Sequence, residues 1–339
     1  MLYLTTQGSP RERGRQHGHA LAENAIPRAL ELSTWGQERP AQWYEYADAM
    51  WAFLSDNFPE LTEEIEGIAE GADLELAVAQ HLSFFNALAP ICSACTNLGF
   101  TASDRGSLLG KTSDIGDDRE IYLLQRVEPD SGYRAFRVSW AGNIWAETGI
   151  NERGLAVGAS SSPAIPGQDG YGMPQHIMMN PVLAQCATVE DALSLMTETN
   201  FAGKGQIFAL VDEGGNASVV EKAGDRQGII EPERNVFCNS NHYVTDALKE
   251  FQRDPSQTVS SRQRLRWMRE TFIEADPQPE LSFEALMAAL RHEEGDGRLC
   301  RKGHLGGHSH YGYLYVCRDR ALHLSDGYPC ENEFIEHRL

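Results

Sequence analysis

No apolar run in this chain approaches the ~20 residues that a bilayer-spanning helix requires. The most apolar stretch, Leu82 to Cys92, is interrupted by Asn86 and Pro90. A secretory h-region is missing too, because Met1-Leu2-Tyr3-Leu4 runs straight into Gln7-Gly8-Ser9-Pro10-Arg11, and cytoplasmic residence is the expectation. Positive charge is scarce: five lysines and 24 arginines stand against 49 acids, a formal net charge of −20. Nucleic acid and anionic membrane, which bind through basic surface, are therefore poor partners. Cysteines are few and scattered, seven in 339 residues, at 92, 95, 186, 238, 300, 317 and 330. A chain this long builds its own core without disulfide staples, so most of them are expected as buried small apolar side chains. Cys92-Ser93-Ala94-Cys95 has the Cys-x-x-Cys form of a redox pair or half a zinc site, but no second pair completes it. His304, His308 and His310 likewise lack a carboxylate or cysteine pattern to finish a metal set. No metal and no cofactor is expected.

What is present divides near residue 95. Upstream the rhythm is helical. Ser9-Pro10 is an N-cap and first-turn pair opening a segment toward Leu32, Trp43 to Leu54 carries aromatics at helical spacing, and Pro59 to Gly71 begins on proline and acids and stops at glycine. Leu76 to Leu88, with a thin polar face, reads as a further, buried helix. Downstream come short runs broken by turn residues: 108–111, 121–124, 135–138, 144–146, 154–158, 207–211 and 217–221, with a closing hairpin around Arg318-Asp319-Arg320. Helical patterns return at Pro174 to Gln185, with Pro181 expected to bend or end it, at Val189 to Glu198, and at Ser260 to Ala275, where Leu265, Met268 and Phe272 share a face as in an ordinary packed surface helix. Ser160 to Gly172 reads as a flexible loop. The order suits an α+β layered domain.

Cys95 stands at the junction. If the peptide bond before it breaks, one residue holds both a thiol and an α-amine, whose reference pKa of about 7.7–8.0 lets it accept the thiol proton.

The surrounding motifs give this weight. Gly8-x-Pro10-x-x-x-Gly14-x-x-x-Gly18, Pro59-Glu60-Leu61 through Gly67-Ile68-Ala69-Glu70-Gly71-Ala72, Cys95-Thr96, Lys111-Thr112-Ser113-Asp114, Gly149-x-Asn151-x-x-Gly154-x-x-Val157 and Asn239-Ser240-Asn241-His242-Tyr243 together resemble the isopenicillin-N (acyl-CoA:6-aminopenicillanic acid) acyltransferase family, the C45-type Ntn hydrolases. The bile-salt hydrolase and ceramidase branch fits the N-terminal pattern less well. The resemblance implies a four-layer αββα sandwich, with residues 1–94 as a helical propeptide segment and 95–339 as a chain beginning at the nucleophile. It carries Cys95 over as nucleophile, Asp114 as a base or an orienting group, and Asn241 as oxyanion donor. Three positions depart from it. The family's Ser-Arg pair faces Gly307-His308-Ser309-His310-Tyr311, which leaves that role unfilled or passes it to a histidine, Arg298 or Arg301, the residue before Asp114 is Ser113 rather than tryptophan, and Ala94 stands before Cys95 in place of the usual glycine.

The expected activity is self-cleavage at Ala94-Cys95 followed by hydrolysis of a small N-acyl or aminoacyl amide through a thioester, with the cleaved N-terminal fragment retained as a tightly associated subunit. Acyl transfer to an amine, an uncleaved non-catalytic binder, and a Cys92/Cys95 redox protein are the alternatives.

Overall fold

The computed structural model describes residues 1–88, 94–114, 120–162, 171–251 and 255–339; Cys92 and most of the Ser160–Gly172 segment lie outside them. Strand β1 (Leu2–Gly8) precedes α1 (Pro10–Leu21), α2 (Ala25–Leu32), α3 (Ala41–Asn57), α4 (Pro59–Gly71) and α5 (Leu76–Leu88). There follow β2 (Ala94–Phe100), β3 (Leu108–Asp114), β4 (Tyr122–Pro129), β5 (Ala135–Trp140), β6 (Thr148–Asn151), β7 (Ala156–Ser161) and β8 (Met173–Pro174). Next are α6 (Met179–Gln185), α7 (Val189–Glu198), β9 (Phe201–Ala202), β10 (Gln206–Val211), β11 (Ala217–Ala223), β12 (Arg226–Ile230) and β13 (Val236–Asn239). The chain closes with α8 (Val259–Phe272), α9 (Phe283–Leu290), β14 (Ser309–Val316), β15 (Ala321–Asp326) and β16 (Phe334–Arg338).

Among the described residues an eight-stranded sheet, β1-β4-β5-β6-β7-β10-β11-β12, faces a six-stranded one, β13-β2-β3-β14-β15-β16. Three apolar layers hold the stack together. Ile150, Ala156, Ile207 and Ala209 of the first sheet meet Leu109, Tyr311, Tyr313 and Tyr315 of the second. Outside the first sheet Phe208, Leu210 and Val220 pack with Ile65, Ile68, Met179 and Met196. Outside the second, Leu98, Phe100 and Leu314 pack with Met268, Phe272, Leu286 and Leu290. This is the αββα order that the resemblance implied. Because β10 is covered on both faces, Ile207-Phe208-Ala209-Leu210-Val211 is an unbroken apolar run without alternation.

Several local expectations change. β1 adds a strand to the segment read as wholly helical, pairing in parallel with β4. Pro181 stands in the first turn of α6, where its missing N–H costs nothing, so it helps to start that helix and does not end it. Residues 144–146 are not a strand: Asn143 Oδ1 accepts the Trp145 N–H at 2.9 Å, and the Trp145 indole donates to Ser83 O at 2.8 Å. Cys300 and Cys330 are joined in a disulfide, contrary to the expectation that a long chain would do without one, whereas Cys95, Cys186, Cys238 and Cys317 are buried thiols.

The two glycine-rich signatures meet face to face. A Cβ on Gly67 would stand 2.2 Å from Arg11 O, and one on Gly14 would stand 2.1 Å from Glu64 O. Small residues thus let α1 and α4 touch backbone to backbone. Beneath them Arg13 Nη2 lies 2.9 Å from buried Glu64, which also pairs with Arg137 of β5. Burial alone would raise the Glu64 pKa, but Arg137 and Arg13 outweigh it and hold the carboxyl below its ordinary range. His17 is buried beside this group, accepts the Gly142 N–H at 2.9 Å, and is pushed down to about 4 by burial and by Arg137.

G67A is expected to cost about 1–3 kcal/mol by overpacking, read as a lower denaturant midpoint. His17 titrates near ~6.5 when unfolded, so between pH ~4 and ~6.5 the unfolded chain binds the extra proton and stability rises with pH. Denaturation midpoints across that window should show this slope, and H17Q should flatten it; an equal slope in both proteins would refute the assignment.

Candidate active site

Cys95 is the second residue of β2, a strand flanked on both sides. In register, Ala94 faces Asp114 and Cys95 faces Ser113, so the Ala94–Cys95 bond lies along the edge of β3. Alternation turns Cys95, Asn97, Lys111 and Ser113 into the space between the sheets, and Thr96 and Asp114 toward the outer helices. On the other flank β13 stops at Asn239, opposite Asn97. Continued pairing would set residue 241 opposite residue 95, and there the Asn241 side chain replaces the ladder: its Oδ1 accepts the Cys95 N–H at 2.7 Å. The amide is held from three further directions. Its Nδ2 donates to Ser161 O at 2.8 Å, the Asn241 N–H donates to Ser261 Oγ at 2.7 Å, and Arg264 Nη2 donates to Oδ1 at 3.0 Å.

Arg264 comes from α8 and is 1% exposed. Its Nη1 donates to Cys95 O at 2.7 Å and to Thr96 Oγ1. Burial lowers its pKa to about 10, so it remains a cation at neutral pH. Among the described residues no carboxylate lies within ion-pair distance of it.

The thiol faces a second cluster. Cys95 Sγ lies 3.9 Å from Glu147 Oε1, which also receives Lys111 Nζ at 2.7 Å and the Ser113 hydroxyl. Burial pushes the thiol pKa up, and the Lys111 ammonium works against that rise. Burial in turn opposes the charge on Lys111, but Cys95 and Glu147 outweigh it and hold its pKa above the ordinary value.

Asp114 is buried on the outer side of the same strands. Arg301 Nη1 reaches its Oδ2 at 3.1 Å and the Ser309 hydroxyl donates to its Oδ1. Ser309 also accepts the Arg301 N–H at 2.8 Å. A serine and an arginine therefore do meet at Asp114, the arginine arriving from the preceding turn. Arg298 is half-buried and bonds Gly295 O, and His308 instead pairs with the Tyr328 hydroxyl at 2.7 Å.

The structure thus gathers all three residues expected from the sequence. Asn241 meets Cys95 through its carbonyl oxygen, and Asp114 is engaged by Arg301 and Ser309, while the thiol's carboxylate neighbour is Glu147. Sequence reasoning missed Glu147 and Arg264. Arg264 had a signal: it lies four and eight residues before Met268 and Phe272, on the buried stripe of a helix read as ordinary surface. Glu147 had none, since only the packing of the β5–β6 connection brings it near Cys95.

A sequence profile for the acyl-coenzyme A:6-aminopenicillanic acid acyl-transferase family matches residues 101–295, a span that holds Asp114, Glu147, Asn241 and Arg264 and begins after Cys95. The chain is 24% identical over 217 residues to the 40 kDa form of acyl-coenzyme A:6-aminopenicillanic-acid-acyltransferase of Emericella nidulans, covering 61% of this chain and 60% of that one. Among solved structures it is similar to a mutant of the conjugated bile acid hydrolase of Clostridium perfringens (13% identity, TM-score 0.45, 72% of this chain and 97% of that one). The Caenorhabditis elegans ortholog of N-acylethanolamine-hydrolyzing acid amidase gives 12% identity and a TM-score of 0.46 over 72% of this chain and 100% of that one. Penicillin V acylase from Agrobacterium tumefaciens gives 15% and 0.44 over 68% and 83%.

Because Lys111 is the cation that opposes the rise in the thiol pKa, K111M should move the pH profile of Cys95 alkylation to higher pH and slow labelling at neutral pH. Iodoacetamide kinetics followed by peptide mass spectrometry measure this; an unshifted profile would remove Lys111 from the account.

Proposed function

The chain belongs to the acyl-coenzyme A:6-aminopenicillanic acid acyl-transferase family, and on that premise we propose that it is an autoproteolytic N-terminal-cysteine hydrolase. Its substrate is a small N-acyl or aminoacyl amine, cleaved at the amide bond through a thioester. The observation that carries this reading is the double environment of Cys95, whose nitrogen is held by Asn241 and whose sulfur lies beside Glu147.

In the uncleaved chain the Cys95 nitrogen is an amide and cannot act as a base. Glu147 then accepts the thiol proton, the sulfur attacks the Ala94 carbonyl, and the peptide C–N bond breaks as its nitrogen gains a proton. Water hydrolyses the resulting thioester. In the mature enzyme the freed α-amine takes over as base. Asn241 Oδ1 orients that amine, the cationic Arg264 polarises the Asn241 amide, and Nδ2 donates to the oxyanion that develops on the substrate. The protonated amine finally gives its proton to the leaving nitrogen. Asp114 anchors the strand opposite the scissile bond. The N-terminal fragment stays bound after cleavage, because β1 is a strand of the larger sheet and Glu64, paired with Arg13 inside the fragment, also pairs across the cut with Arg137.

The Emericella relative is named for acyl transfer from acyl-coenzyme A, and the same acyl-enzyme can pass its acyl group to an amine. A net charge of −20 disfavours the phosphates of such a donor and tips the choice toward water.

Denaturing mass spectrometry should find fragments of 94 and 245 residues, which sum to the 339 of the chain, and native mass spectrometry should find them together. C95A should remain whole, and N241A should lower kcat by about 10²–10³, the loss typical of a missing oxyanion donor. A single intact chain with unchanged turnover in C95A would overturn the proposal. Product analysis with a competing amine separates transfer from hydrolysis.

A further inference from the structure

We infer that the Cys300–Cys330 disulfide is a redox-modification site for a dithiol, and that its reduction loosens Arg301 from Asp114 and slows self-cleavage and turnover. The inference rests on the functional reading above. The bond closes 30 residues of sequence and joins the residue before Arg301 to the turn after β15. Arg301 organises the outer half of the site: its N–H donates to Ser309 Oγ at 2.8 Å, its carbonyl accepts the Ser309 N–H at 2.8 Å, and its guanidinium spans Asp114 and His304 O. Weaker contacts join the same segments. Lys302 Nζ meets Glu331 at 3.0 Å on the surface, where an ion pair contributes little, and His308 meets the Tyr328 hydroxyl. The covalent link is therefore the strongest tie between the Arg301 segment and the turn after β15.

The two sulfurs differ in access. Cys300 is 1% exposed, whereas Cys330 is half-buried and approachable. A reductant thiolate attacks Cys330 Sγ, the S–S bond breaks, and Cys300 leaves as a thiolate whose sulfur already accepts the Cys330 N–H at 3.3 Å. The second thiol of the reductant then displaces Cys330 and closes the reductant's own disulfide. The protein gains two electrons and two protons, and the dithiol loses them.

The test compares wild type with C330A, each with and without dithiothreitol, which also controls for effects of the reagent on Cys95. Alkylation under denaturing conditions without reductant should protect two of the seven cysteines. Dithiothreitol should slow wild-type self-cleavage and turnover by about tenfold, the order expected when a charge-assisted hydrogen bond is loosened, and should leave C330A at that lower level throughout. Seven reactive thiols without reductant, or C330A at wild-type rate, would overturn the inference. If C330A does not fold, wild type poised in graded redox buffers serves: the rate must track the oxidised fraction. In a chain that never self-cleaves, hydrogen exchange across residues 299–309 must still accelerate on reduction, so the failure of this inference and that of the functional reading are told apart.

Discussion

Arg264 carries a charge into a place that water does not reach, and the candidate site is arranged around that fact. A buried cation is costly unless its hydrogens are satisfied. Here the acceptors that satisfy it are the Cys95 carbonyl, the Thr96 hydroxyl and the Asn241 side chain. The same bonds that make the cation tolerable fix the Cys95 backbone and turn the Asn241 oxygen toward the Cys95 nitrogen. Stability and positioning are here one set of contacts, so a change at Arg264 cannot affect one without the other.

Cys95 also separates two chemical environments by simple alternation along β2 and β3. Its sulfur shares the space between the sheets with Lys111, Ser113 and Glu147, whereas Asp114, one residue further along β3, faces the helices and meets Arg301 and Ser309. A carboxylate stands on each side of the strand that holds the Ala94–Cys95 bond, one beside the thiol and one locked by an arginine. On the proposed reading the first is the proton acceptor and the second the anchor.

The scaffold behind the site joins the parts of the chain on either side of Cys95. α1 and α4 touch through Gly14 and Gly67 and lie over Arg13, Glu64 and Arg137, and β1 extends the larger sheet. A cut at Ala94–Cys95 would leave these contacts in place, because none of them depends on the severed bond.

The helical first third and the strand-rich remainder were legible in the sequence, since periodicity and capping are properties of neighbouring residues. The motifs that resemble the family singled out Cys95, Asp114 and Asn241, which the structure brings to one place, but they did not show that the two glycine signatures pack against each other. β1 was not legible, because a strand at the edge of a sheet is defined by its partner β4. Arg264 was half visible, as a charge on an apolar stripe. Glu147 beside the thiol, Arg301 at Asp114 and the Cys300–Cys330 bond were decided by tertiary structure alone: each joins segments tens to hundreds of residues apart, and no local pattern states which distant charge or sulfur the packed sheets will bring within a few ångströms.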